Sequence, residues 1–209
     1  MKLLRSTTLT CLQTTKRFLH QKRVIPRRAL MYVPGSDERK LNKIKSIGAD
    51  CICLDCEDGV AFTAKDKARS NIRHLLSSQS QEFFGSSECS VRVNSIQSGL
   101  CHTDLDEILT EPPANFLVPS AIHLPKVDST EILDEFAYIF NSSTSDWLKP
   151  SSNIRVGLIV FIESAQGLID LKRICEKAVS LKEKSAIQPE AIVFGRSVQC
   201  RPVGRVETV

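Results

Sequence analysis

No stretch of this chain stays apolar for anything near the roughly 20 residues that cross a bilayer, and its opening segment lacks the compact apolar core of a secretory signal. Neither a membrane-spanning helix nor a secretory leader is expected. Acidic residues are missing at one end only. None occurs before Asp37, whereas eight basic residues (Lys2, Arg5, Lys16, Arg17, Lys22, Arg23, Arg27, Arg28) fall within residues 1–28. Taking those eight from the 28 lysines and arginines leaves 20 against 24 acids, so residues 29–209 carry a formal −4 although the whole chain sums to +4. A mildly acidic body gives no electrostatic footing for nucleic acid as the main partner. Of the eight cysteines, Cys53 and Cys56 form a CxxC with no second pair at zinc-ribbon spacing. A chain of 209 residues can bury a sizeable core and needs no disulfide framework. Cys51 and Cys53 therefore read as small core residues. The four histidines, His20, His74, His102 and His123, make no cluster. No glycine-rich loop follows the first apolar run, where Pro34-Gly35-Ser36-Asp37 stands instead. That argues against a doubly wound nucleotide-binding domain.

The basic opening is rich in hydroxyls (Ser6, Thr7, Thr8, Thr10, Thr14, Thr15), with Leu3, Leu4, Leu9, Leu12, Phe18 and Leu19 interspersed. That is the composition of a mitochondrial transit peptide. Residues 1–24 are expected to be one and to address the chain to the matrix; the alternative is a disordered basic arm.

The chain is organised around Cys51-Ile52-Cys53-Leu54-Asp55-Cys56-Glu57-Asp58-Gly59-Val60. Its apolar start reads as a strand buried on both faces, as in a parallel α/β sheet. Its end crowds Asp55, Glu57 and Asp58 together, which costs free energy unless a cation or a proton offsets it. Acids at the end of a buried strand point to a site; the alternative is a solvated acidic turn bent at Gly59.

Five further strands are expected, at residues 29–33, 89–94, 121–126, 155–162 and 191–195. Helical periods lie between them: from Ser36 or Asp37 to Ser46, from Thr63 to Ser78, from Asp104 to Leu109, from Thr130 to Phe140 and from Ser164 to Lys182. Ser77–Ser87 and Asn141–Asn153 read as loops. Strict alternation of strand and helix predicts a parallel sheet with right-handed crossovers, open or closed. The third strand carries Arg92 amid apolar neighbours, so that arginine is either exposed on an edge or aimed into a site.

The segments around Tyr32-Val33-Pro34-Gly35, Leu54-Asp55-Cys56-Glu57-Asp58-Gly59-Val60, Val91-Arg92-Val93-Asn94-Ser95, Leu124-Pro125-Lys126-Val127 and Phe161-Ile162-Glu163-Ser164-Ala165-Gln166-Gly167 together resemble the citrate lyase beta chain (HpcH aldolase) family, over about residues 25–195. The resemblance implies a (β/α)8 TIM barrel of the phosphoenolpyruvate/pyruvate type. It also implies a Mg2+-dependent carbon–carbon lyase for CoA thioesters and 2-oxo acids, for example citramalyl-CoA to pyruvate and acetyl-CoA, with malate-synthase-like side activity. A 2-oxo acid chelates Mg2+ through its carboxylate and carbonyl oxygens, and the protein supplies carboxylates opposite.

By that resemblance Glu163 is a metal ligand and Arg92 the anchor for a substrate carboxylate; without it, a strand-end acid and an ion pair to Asp55 or Glu57 would serve as well. Tyr32, Arg39 and Lys43 fall at substrate contacts, with Arg39 where a lysine is expected. Asp55, Glu57 and Asp58 are supporting acids that order waters on the metal or pair with Arg92. Family members are commonly oligomeric, so a homo-oligomer is expected of the full-length form.

The resemblance stops after Gly195. The family continues with glycine, glutamate and a metal-binding aspartate, where this chain reads Arg196-Ser197-Val198-Gln199 and so puts Val198 at the ligand's place. A TIM barrel typically takes about 250 residues. About six of its eight strands are expected at residues 25–195, with residues 196–209 as a divergent tail. No catalytic residue is assigned, because the family's catalytic aspartate belongs to the region beyond. An inactive product that is degraded, or that binds a full-length subunit, is the alternative expectation.

Overall fold

A computed structural model describes residues 27–195. The expected transit segment at 1–24 and the tail from Arg196, Val198 included, lie outside the described residues. Six strands alternate with helices: β1 (Leu30–Pro34), β2 (Cys51–Asp55), β3 (Glu88–Arg92), β4 (Ala121–Leu124), β5 (Val156–Ile162) and β6 (Ile187–Phe194). Every pairing is parallel, and the spatial order equals the chain order. Each crossover thus advances in the same direction, and right-handed crossovers that never reverse set all the helices on one face. A doubly wound sheet reverses once and is covered on both faces. The winding is that of a TIM-barrel wall, six strands of it among the described residues.

The two faces of the sheet differ accordingly. Side chains alternate along a strand, and Val33, Ile52, Leu54, Cys89, Val91, Ile122, Leu124, Leu158, Val160 and Ile162 enter the large core beneath the helices. The other face packs Ala121, Ile159 and Phe161 against Tyr32, Ala191 and Val193. By the same alternation it also receives Asp55, Arg92 and His123. All five residues of β2 are buried, as the apolar run predicts. The six described cysteines are free thiols.

The helix face is held by apolar stripes. α2 (Lys65–Ser78) buries Ala68, Ile72, Leu75 and Leu76, and α5 (Thr130–Thr144) buries Ile132, Leu133, Phe136 and Phe140. Phe136 and Phe140 are wholly buried; removing such a side chain from water stabilises the fold by about 1.5–3 kcal/mol. α4 (Cys101–Leu109) lies between them, packed on both. Gly35, in the turn after β1, passes so close to α2 that a Cβ there would lie 2.7 Å from Ile72 Cδ1.

Several boundaries depart from the periodic reading. The first helix is one turn, α1 (Glu38–Leu41), capped by Asp37, and a 3-10 turn at Ile44–Ser46 replaces its second half. Thr63 lies in a 3-10 turn and does not cap α2, which starts at Lys65. The expected loop at Ser77–Ser87 contains α3 (Gln81–Phe84), because Phe83 and Phe84 are apolar enough to bury themselves against the core. α5 runs on to Thr144, whose hydroxyl bonds the Phe140 carbonyl. The last helix is broken at Asp170 into α6 (Ala165–Ile169) and α7 (Leu171–Leu181). β6 begins at Ile187, and the register shifts between Leu158 and Ile159 opposite it.

Candidate active site

At the C-terminal end of β2 and β3, Asp55 and Arg92 share a register position. Arg92 donates from Nε to Asp55 Oδ1 and from Nη2 to Asp55 Oδ2, both at 2.7 Å, and its Nη1 lies 2.9 Å from Glu57 Oε2. Both acids are buried, so neither belongs to a solvated turn. Asp55 also accepts the backbone N–H groups of Glu57 at 2.8 Å and Gly59 at 3.0 Å, which folds the acidic turn back onto the strand end. A Cβ on Gly59 would stand 2.5 Å from Asp55 Oδ2, so the turn needs glycine there. Tyr32 covers the guanidinium, with Cζ 4.4 Å from the ring centroid. Burial pulls the Arg92 pKa down, but the bonds to Asp55 and the charges of Asp55 and Glu57 outweigh it and the net shift is upward. Two of the five guanidinium N–H groups bond Asp55, and Glu57 approaches Nη1 as an ion pair without a hydrogen bond. Both terminal nitrogens therefore keep N–H groups that can grip a further carboxylate.

Lys126 follows β4 and brings a second cation. Its Nζ lies 2.8 Å from Glu57 Oε1 and 3.7 Å from Asp58 Oδ1. The close contact with Glu57 raises its pKa, against a smaller lowering by burial. Glu163 stands at the end of β5, half-buried. Burial raises its pKa, as do the charges of Glu57 and Asp58, while Lys126 and Arg92 act in the opposite direction. Among the described residues no hydrogen bond or ion pair reaches the Glu163 carboxylate. Gly195 lies against it, where a Cβ would fall 2.6 Å from Glu163 Cγ.

Those features bear on magnesium. Among the described residues no three Asp, Glu, His or Cys side chains gather closely enough to hold a metal ion unaided. Mg2+ usually takes one or two carboxylates and completes its shell with waters and substrate oxygens. Glu163, an unpaired hard-oxygen donor among cation-neutralised acids, fits one such ligand.

A buried network fixes the turn that carries Glu57. Lys65 Nζ donates to the carbonyls of Cys56 (2.6 Å) and Glu57 (2.8 Å) and to Asn94 Oδ1 (2.7 Å). Asn94 donates from Nδ2 to Asp104 Oδ2 at 2.7 Å, and Asp104 Oδ1 meets Arg69 Nη1 at 3.2 Å. Burial raises the Asp104 pKa, and its bonds to Asn94 and Arg69 offset this in part. The network ties α2 and α4 to the strand ends. Sequence reasoning missed these residues, although Lys65 and Arg69 stand at i and i+4 on the apolar stripe of α2, where a solvated cation does not belong.

His123 on β4 lies between Tyr32 and Phe161, ring centroids 6.2 and 5.6 Å away. Burial, aided by the charges of Arg27 and Arg92, lowers its pKa to about 3. Neither ring nitrogen has a protein partner among the described residues. Tyr32 has its pKa raised, chiefly by burial, and stays a neutral phenol.

The structure thus gathers Tyr32, Asp55, Glu57, Asp58, Arg92 and Glu163 at one end of the sheet, where barrel sites sit. Arg92 is aimed inward and not on an edge. Arg39 and Lys43 are exposed near α1, and no bond among the described residues joins them to this cluster. A cavity of about 1010 Å3 opens at the opposite end, lined by Arg28, Lys45, Asp50, Ser87 and Glu88. It holds none of the acid cluster.

Comparison with known proteins places the chain in a family. Residues 28–197 match the family described as HpcH/HpaI aldolase/citrate lyase. The chain is 40% identical over 173 residues to a human protein named citramalyl-CoA lyase, mitochondrial, covering 82% of this chain and 47% of that protein. The chain spans about half the length of the curated relatives it matches first. Among solved structures, protein CitE from Mycobacterium tuberculosis in complex with magnesium and pyruvate superposes with a TM-score of 0.55 at 21% identity, over 82% of this chain and 57% of that one. The same protein in complex with magnesium, acetoacetate and coenzyme A superposes with a TM-score of 0.53 at 22% identity, over 81% and 50%.

Proposed function

The chain belongs to the HpcH/HpaI aldolase/citrate lyase family, and we propose that its acid-and-arginine cluster is the 2-oxo-acid-binding part of a Mg2+-dependent carbon–carbon lyase for CoA thioesters. Citramalyl-CoA, cleaved to pyruvate and acetyl-CoA, is the proposed substrate, and the mitochondrial matrix the proposed compartment. The human relative's name supports the substrate and the organelle. The observation that carries the reading is Arg92, held by two hydrogen bonds to Asp55 and an ion pair to Glu57, with N–H groups to spare on both terminal nitrogens.

In this reading Arg92 takes the substrate carboxylate in two bonds, Asp55 fixes the plane of the fork, and Tyr32 shields its face from water. Glu163 would hold magnesium, with Asp58 and Glu57 as supporting acids beside it. When bound, magnesium supplies Lewis acidity that draws electrons toward the keto oxygen as the carbon–carbon bond breaks. Arg39 and Lys43, exposed near α1, are proposed contacts for the charged parts of coenzyme A. No described residue is assigned the proton transfer.

One observation favours a second reading. Among the described residues β1 and β6 each have a single strand neighbour, and Met31 and Phe194 on them are exposed. Open edges invite pairing with further strands, so the chain would act as a partner of a longer family subunit.

Calorimetry with the full chain tests the first reading. Mg2+ binding is expected to vanish in Glu163→Gln. Pyruvate binding is expected to weaken about tenfold or more in Arg92→Lys, which keeps the charge and loses the fork. A chain that is folded by circular dichroism yet binds neither overturns it, and co-elution with a longer subunit then favours the second.

A further inference from the structure

We propose that Lys126 is a resident counter-cation of the acid cluster, and that a divalent ion bound at Glu163 displaces its ammonium from Glu57 and Asp58. The inference rests on the magnesium reading and adds the residue that sets how tightly the metal is held.

Charge supplies the first argument. Asp55, Glu57, Asp58 and Glu163 place four carboxylates around Arg92 and Lys126, a formal −2 that attracts a dication; a dication in place of the Lys126 ammonium brings the cluster to −1. The two cations are not held alike. Arg92 has three close contacts and a side chain 12% exposed, whereas Lys126 has one contact at 2.8 Å, a looser one at 3.7 Å, and a side chain 49% exposed. A hydrated ammonium on a four-carbon stem can leave without opening the fold. A guanidinium bonded as Arg92 is cannot.

Backbone geometry is the second. Lys126 has φ +56, in the left-handed region that L-residues seldom enter. The position is enforced from both sides. Gln97 Nε2 donates to the Lys126 carbonyl at 3.0 Å, and the next residue, Val127, donates its N–H to Phe161 O at 3.0 Å. Such strain persists where surrounding contacts over-determine it and gathers at functional sites. Here it turns a side chain at the end of β4 across to the acids of the β2 turn and ties that turn of chain to the strand bearing Glu163. A lysine needed only for solubility requires no such turn.

A permanent brace would behave in the opposite way, since removing it would scatter the acids and weaken the metal. Mg2+ calorimetry on the full chain therefore separates the two by sign. Lys126→Met is expected to bind Mg2+ about two- to fivefold more tightly than wild type, the worth of one half-exposed ion pair. Lys126→Arg is expected to bind no more tightly than wild type. In a second measurement on the unaltered chain, acetylation by an amine-reactive reagent is followed by mass spectrometry. Mg2+ should raise labelling of Lys126 in wild type and leave it unchanged in Glu163→Gln. Equal or weaker binding by a folded Lys126→Met, or Mg2+ binding without increased labelling, overturns this inference alone. Absence of Mg2+ binding in folded wild type and variant alike overturns the magnesium reading and this inference with it. If Lys126→Met does not fold, the labelling of the wild type decides.

Discussion

Arg92 and Asp55 sit opposite one another on β3 and β2 and meet through two hydrogen bonds of 2.7 Å, with Asp55 almost wholly buried. Asp55 also anchors the acidic turn through the N–H groups of Glu57 and Gly59. The pair is thus a structural brace as well as part of the site. Asp55→Asn leaves a mostly buried guanidinium short of a charge partner and is expected to cost about 3 kcal/mol or more. Urea unfolding checks this, as a lower midpoint at an unchanged slope.

Lys65 is expected to matter to the site without touching substrate. Lys65→Met keeps the length of the side chain and removes a donor from three acceptors; the Cys56 carbonyl keeps Asn94 Nδ2 and the Glu57 carbonyl keeps the Val60 N–H, both at 3.0 Å, so only Asn94 Oδ1 is left without a donor. A loss of about 1–3 kcal/mol for that one buried group left unsatisfied should appear as lower global stability. Hydrogen exchange should speed up first at the Glu57 and Gly59 amides, because the turn they close is what Lys65 holds.

His123 predicts a pH dependence. Its folded pKa of about 3 lies below the ordinary value of 6.5, so between those values the unfolded chain binds a proton that the folded chain does not. Stability from this group is fully present above pH 6.5 and falls as the pH drops toward 3, by about 1.4 kcal/mol per unit. His123→Phe abolishes the dependence due to this group. The difference between the two stability curves from pH 7 to 4.5, by urea unfolding, is the measurement; parallel curves would count against a neutral buried imidazole.

The parts legible in the sequence are those written in neighbouring residues. β2 runs where an unbroken apolar stretch demands burial on both faces, and Asp55 ends it where the acids begin. Alternation of strand and helix was enough for a parallel sheet. Whether it was singly or doubly wound was not, because periodicity says which residues are buried and nothing of the strand beside them. Helix ends were misplaced where local geometry overrode period: at Asp170, which closes α6 and opens α7, and at α3, where Phe83 and Phe84 pull a polar stretch into the core.

The acids and Arg92 could be chosen as site residues from their types and spacing, and Glu163 from the motif that carries it. For Arg92 the sequence offered Asp55 or Glu57 as a partner, and the structure shows both; the partners of Lys65 and Lys126 were not legible. Lys65 meets Asn94 across 29 positions of chain, Arg92 meets Asp55 across 37, and Lys126 reaches Glu57 from the other side of β3. By itself the sequence determined which stretches are strands and which residues are chemically able to serve. Only the tertiary structure decided which carboxylate each cation neutralises, because charge pairing falls off over a few ångströms and only the order of the strands brings those groups within that range.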